Sequence, residues 1–260
     1  MSLRTVTATR YVTPLREGGS LPAIVEADDD GLYVLKFRGA GQGVKALIAE
    51  LLAGELARAL GLPVPELVFV ALDPELARTE PDPEIQDLIR ASAGRNLALD
   101  YLPGSITYDP VAERTEAELA SRIVWFDAYV TNVDRTPKNT NMLVWHHKLW
   151  LIDHGAALYF HHGWADPAAH SRSRFPQVRE HVLLPQAAAL ERADAALAAQ
   201  LTEEVLTRTI ALIPDDWLCV EAPFADPAAH RAAYADYLRR RLVAPRPFLE
   251  EALSARAQHV

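Results

Sequence analysis

The chain has 260 residues, 50% of them apolar and 23% charged, with a formal net charge of −9. This is ordinary globular usage, long enough to bury a core without covalent staples, and it lacks the basic stripe a duplex-DNA reader needs, so no direct nucleic-acid partner is expected. The single cysteine, Cys219, excludes an internal disulfide framework, and no stretch reads as a signal peptide or a spanning helix, so a cytoplasmic protein without a membrane partner is expected.

Two short strand patterns come first, Leu21–Val25 and Leu32–Phe37, joined through Asp28-Asp-Asp-Gly31. An Asp-Gly step between apolar runs is a hairpin signal. Glycine loops flank the pair at 16–20 and 39–43. Val44, Leu47, Ile48, Leu51, Leu52, Leu56 and Leu60 then recur at helical spacing, and Gly61 and Pro63 end the run. A strand is read over 66–72, a surface excursion with a short helix near 84–91, and a strand over 96–102 closed by Pro103-Gly104. Beyond it a helix runs from Thr115 to about Thr131, with Thr115 and Glu118 spaced as a capping box. A polar loop over 132–141 leads to a tight hairpin, 142–145 and 148–152, around His146-His147. Residues 186–212 and 226–256 carry helical patterns, and Arg239-Arg240-Arg241 reads as a solvated helix face. Cys219, beside Trp217 and Leu218, reads as a packed residue. The expected architecture is an α+β, two-lobed fold. A small N-terminal antiparallel sheet with one helix (1–102) faces a mainly helical C-terminal lobe (103–260), all in one domain with a ligand cleft between.

The chemistry concentrates in Asn132-Val-Asp134-Arg-Thr-Pro-Lys138-Asn139 and in Asp153-His-Gly155. Asp134 precedes Asn139 by five residues, and Asp153 follows fourteen later across the hairpin. The first acid can orient a hydroxyl; the amide and the second acid are hard oxygen ligands suited to Mg²⁺. Lys36 ends an apolar strand, where its ammonium can meet phosphates, and the following helix offers two acids, Glu50 and Glu55, to orient it. Glu55 falls within the apolar stripe, whereas Glu50 points toward Ala46, Ala53 and Gly54. The order lysine strand, D-x-x-x-x-N loop and D-x-G resembles the catalytic elements of protein kinases. On that likeness the strand end at Leu99 and Tyr101 offers backbone groups to an adenine edge, and the loop ending at Ser20 covers the phosphates.

Val34-Leu-Lys-Phe37, the segment Ala49–Pro65 with its acid at Glu50, and the loop from Asn132 to Asn139 together resemble the HipA family of bacterial serine/threonine kinases, over roughly residues 15–160. The resemblance implies ATP and Mg²⁺ as cofactors, with Asp134 catalytic, Asn139 and Asp153 metal ligands, and Lys36 on the phosphates. It favours Glu50 as the partner of Lys36, and it makes Ser20 a candidate for autophosphorylation. The acceptor is a hydroxyl on a protein or small molecule. Thr136 stands where the family usually has His. The lobe that precedes the kinase core in toxin members has no counterpart, so an antitoxin partner is not expected. Two rival functions fit the same residues: a non-catalytic nucleotide-binding scaffold, and a small-molecule kinase of the aminoglycoside or choline kinase type. Zinc hydrolysis is disfavoured, because the histidines at 146, 147, 154, 161 and 162 form no H-E-x-x-H pattern.

Overall fold

The structure is a computed structural model that describes residues 3–15, 21–218 and 224–258. Ser20, the 16–20 loop and Cys219 lie outside the described residues. Strand β1 (Thr5–Pro14) is followed by β2 (Ala23–Ala27) and β3 (Leu32–Lys36), the expected hairpin. Helix α1 (Val44–Ala59), β4 (Leu67–Leu72), α2 (Pro83–Ala91) and β5 (Gly94–Asp100) complete the first part. The five strands close into a barrel in the order β1-β2-β3-β5-β4. This corrects the expected all-antiparallel sheet: β1 pairs in parallel with β4 at Thr5–Phe69, Val6–Val70 and Thr7–Ala71. The closing strand was not expected. Its signal is the alternation of Val6 and Ala8, both buried, with exposed Thr5, Thr7 and Thr9.

Barrel geometry explains the uneven apolar patterns. Strand β2 alternates because one face fills the barrel with Ala23, Val25 and Ala27. Strands β4 and β5 read as continuous apolar runs because both of their faces are covered. Val68, Val70 and Ala98 face the barrel interior, while Leu67, Phe69, Leu97 and Leu99 join the core around α1. Ile85 and Ile89 of α2 close the interior core. Helix α1 is buried on nearly every side. Gly54 lets it approach β4: a Cβ there would lie 2.6 Å from Leu67 Cδ1.

A two-residue strand β6 (Ile106–Thr107) pairs with β7 (Met142–Trp145), which pairs with β8 (Lys148–Leu151). His146 and His147 form the two-residue turn with φ of 48° and 59°, the left-handed backbone of a primed hairpin turn. The rest is helical: α3 (Ala117–Val130), α4 (Pro167–Ser171), α5 (Leu190–Gln200), α6 (Glu203–Ile210), α7 (Asp215–Leu218), α8 (Pro227–Leu242) and α9 (Pro247–Ala257). The larger core runs from α1 and the outer faces of β4 and β5 into α3 and the later helices.

Two local readings are corrected. No capping box opens α3: its N-cap is Glu116, without a side-chain cap. Thr115 instead gives its N–H to Gln186 Oε1 (2.6 Å) and its hydroxyl to Tyr108 (3.1 Å), so tertiary contacts outbid the local cap. The cluster Arg239–Arg241 is not uniformly solvated. Arg239 and Arg240 are exposed, but Arg241 is fully buried. Its guanidinium donates to the carbonyls of Ala128 and Tyr129, both at 2.7 Å, and of Ser171 at 3.2 Å. It covers the C-terminal end of α3, where helix carbonyls lack partners and the dipole is negative.

Candidate active site

Lys36 belongs to the β3 face opposite Tyr33 and Leu35, whose side chains fill the barrel, so its ammonium turns toward α1 and the cleft. It bonds Glu50 Oε2 at 2.9 Å and also Asp153 Oδ1. Burial alone would lower the Lys36 ammonium, but Glu50 and Asp153 outweigh it and hold the group above its usual range. Burial alone would raise Glu50; the Lys36 cation and His154 override it and keep the carboxyl well below the usual carboxylate range. Of the two acids left open by sequence, Glu50 makes this contact. Glu55 pairs with Arg58 one turn along its own helix (3.3 Å), and burial raises its carboxyl.

The polar loop starts where α3 ends, at Thr131 with φ 55°. Asp134 Oδ2 accepts from Asn139 Nδ2 (2.8 Å) and Asn141 Nδ2 (3.2 Å). Thr136 and Asn139 exchange backbone hydrogen bonds at 2.9 and 3.1 Å, and the Thr136 hydroxyl accepts from Asn139 N–H at 3.3 Å. Thr136 therefore closes the turn that carries Asn139. Beneath it lies a buried network that sequence reading missed. Arg135 Nε donates to Asp127 Oδ2 (2.6 Å), and Arg135 also reaches the carbonyls of Asn141 and Ile152. One guanidinium thus joins the loop to the strand end just before Asp153. His181 Nδ1 accepts from Leu183 N–H (3.0 Å), so its proton sits on Nε2, which donates to Asp127 Oδ2 at 2.9 Å. Asn132 Nδ2 takes the other oxygen, Asp127 Oδ1, at 3.0 Å. Burial would raise Asp127, yet Arg135 and His181 hold it far below the usual range. The available signal was Arg135 beside Asp134 and an acid two turns upstream on α3.

Lys36, Asn139 and Asp153 line one cleft of about 1050 Å³. Asp134 is not among the lining residues; it stands behind Asn139 and Asn141, which line the cleft and donate to its carboxylate. Val34, Leu99, Asp100, Tyr101 and Leu102 form another wall, and Thr107, Tyr108, Asp109 and Lys138 extend it. Leu99 and Tyr101 are thus on the cleft, but Leu99 lies inside two strand pairings and the Tyr101 N–H is taken. Leu99 pairs with Val34 and Leu67, and Tyr101 N–H donates to Leu32 O at 3.0 Å. The first residue past the ladders is Leu102, whose N–H makes no hydrogen bond among the described residues.

Asp153 is well suited to a hard cation. Its side chain is 43% exposed, whereas that of Glu50 is fully buried, and its φ of 54° is a left-handed conformation that Asp tolerates. Asn139 spends its amide nitrogen on Asp134, which leaves the amide oxygen as a ligand. These are oxygen donors; among the described residues no cluster of three or more His, Cys, Asp or Glu side chains could hold a metal. An amide and a carboxylate oxygen are the hard donors that a divalent cation retaining several waters accepts.

A lysine–glutamate pair, a D-x-x-x-x-N loop and an Asp at the end of a hairpin, all around one cleft, place the chain among kinase-like phosphotransferases. Two similar solved structures share the fold. The Helicobacter pylori proinflammatory kinase CtkA is 12% identical with a TM-score of 0.55, over 98% of both chains. The Golgi casein kinase, in a structure described with Mn/ADP bound, is 13% identical with a TM-score of 0.50, over 98% of this chain and 73% of that one. No curated protein matches the sequence. The HipA-like kinase family matches residues 9–243. The chain belongs to that family and is a kinase.

Proposed function

We propose that the protein transfers the γ-phosphate of ATP, with Mg²⁺, to a serine or threonine hydroxyl of a protein substrate. The observation that carries this reading is Lys36, clamped between Glu50 and Asp153 on the cleft that Asn139 also lines. The cleft divides a nucleotide-side lobe, 1–102, from an acceptor-side lobe, 103–260. Adenine lies against Val34, Leu99 and Tyr101, with Leu102 N–H at its edge. Lys36 meets the phosphates and Glu50 keeps its ammonium in place. Asn139 and Asp153 would hold Mg²⁺, which when bound would supply positive charge to the transferring group. Asp134, its Oδ2 fixed by two amides, aims Oδ1 at the acceptor hydroxyl and takes its proton. The acceptor oxygen bonds to phosphorus as the bond to the β–γ bridging oxygen breaks, and ADP leaves. Catalysis is then positioning plus electrostatics. Ser20 stays a candidate autophosphorylation site.

The test is transfer from γ-labelled ATP to protein, to the chain itself and to a panel of amino sugars and amino alcohols. Label on protein Ser or Thr, lost in Asp134→Ala, supports the reading. Label on the small molecules alone would move the chain to the small-molecule kinase class, and no label on any acceptor would leave a nucleotide-binding scaffold.

A further inference from the structure

His154 stands in the middle of Asp153-His-Gly155. Its side chain is fully buried. Nδ1 lies 3.4 Å from Glu50 Oε1, and the ring meets Phe126 of α3 edge-on, with centroids 6.4 Å apart. Nε2 is buried without a hydrogen-bond partner among the described residues. We propose that His154 is a positioning residue: its Nδ1–H holds Glu50 Oε1, fixes the carboxylate that clamps Lys36, and so ties the metal-binding motif to α1.

This rests on the phosphotransfer reading of the site. Glu50 is fully buried and, among the described residues, has two side-chain partners, Lys36 on Oε2 and His154 on Oε1. A buried carboxylate oxygen without a donor is costly, so the carboxylate turns if that donor is lost. An ionised carboxylate only accepts, so the proton of the contact must sit on Nδ1. The ammonium of Lys36 is shared between Glu50 and Asp153. When Glu50 loosens, Asp153 takes the larger share of that cation, and Asp153 is the acid that must face Mg²⁺. A phenyl ring at 154 fills the volume and keeps the Phe126 contact, but donates nothing. An asparagine carries an amide N–H near the position of Nδ1.

Two measurements test this. In ¹⁵N-detected spectra of the wild-type protein, the His154 ring should carry a proton on Nδ1; an unprotonated Nδ1 overturns the proposal without reference to activity. Affinity for a fluorescent ATP analogue with Mg²⁺ should fall by about tenfold or more in His154→Phe, the scale of removing an outer-shell partner, and His154→Asn should recover most of the loss. Phe binding as tightly as wild type, or Asn binding as weakly as Phe, overturns it, the latter because it would show a packing role. Wild-type protein that binds no nucleotide overturns the phosphotransfer reading itself and this role with it, a result distinct from either variant outcome.

Discussion

Among single residues, the buried charges decide most. Asp127 has no exposure and satisfies Arg135, His181 and Asn132 at once. Asp127→Asn leaves the Arg135 charge buried and uncompensated, a loss of ~3–5 kcal/mol; urea denaturation should show it, and a loss below ~1 kcal/mol would deny the network its role. Asp127 and Glu50 are both held below the ordinary carboxylate range in the folded state. Their contribution is therefore present above the unfolded value, near pH 4, and is lost as pH falls below it toward the folded values. Wild-type stability should drop through that acid window, and Asp127→Asn should flatten the drop. An unchanged acid limb in the variant would contradict the linkage. At the clamp, Lys36→Met should reduce phosphate transfer by roughly 100-fold or more, the scale of one lost transition-state donor; near-wild-type transfer would place the phosphates elsewhere. Lys36, Asn139 and Asp153, which line one cleft, could be picked out as candidates with Asp134 because each is a chemical type at a recognisable spacing. The network beneath them could not: Asp127 and Arg135 are two turns apart, but the partner that completes them, His181, lies 54 positions from Asp127.

Among the elements, α1, the β2–β3 hairpin and the β7–β8 hairpin follow from local pattern: apolar period, turn residues and a glycine stop. The elements that departed from expectation did so where tertiary contacts won. Strand β1 is half polar because one of its faces meets water, and its pairing with β4 joins segments distant in sequence. The stretch 186–212 breaks into α5 and α6, where Thr202 caps α6 by accepting from Val205 N–H at 3.3 Å. Helix α8 carries Arg241 inward, against its charged neighbours, because the end of α3 offers carbonyls and Phe248 and Tyr237 offer ring faces. Arg241→Ala should cost at least ~3 kcal/mol, since it strands two or more buried carbonyls. Arg241→Lys should not restore the loss, because a point charge cannot reach the same fork of acceptors. Chemical denaturation of both variants checks this; a fully stable Lys variant would show that charge alone suffices.

Across the whole molecule, the barrel also meets the helical body at α7. Asp216 reaches Arg38 at 3.6 Å and Arg95 at 3.2 Å, and Trp217 packs edge-on against Phe69 with centroids 5.7 Å apart. The ion pairs are half exposed and worth ~0–1 kcal/mol, so Asp216→Ala should barely change the melting temperature. Trp217 is buried, and Trp217→Ala should cost ~3–5 kcal/mol. The reverse order would mean that charge, not packing, joins the two parts. At this scale the α+β kinase-like plan was legible from the order of motifs. Closure of the sheet into a barrel was not, because nothing local marks which edges meet.

On the proposed function, Lys36, Asn139 and Asp153 form one nucleotide-and-metal site. Titration calorimetry of ATP into the wild-type protein and into Asp153→Ala, each with and without Mg²⁺, tests it directly. One ATP should bind the wild type, more tightly with Mg²⁺, and the Mg²⁺-dependent gain should vanish in Asp153→Ala. An equal Mg²⁺ gain in both proteins, or no ATP binding to the wild type, would contradict the account.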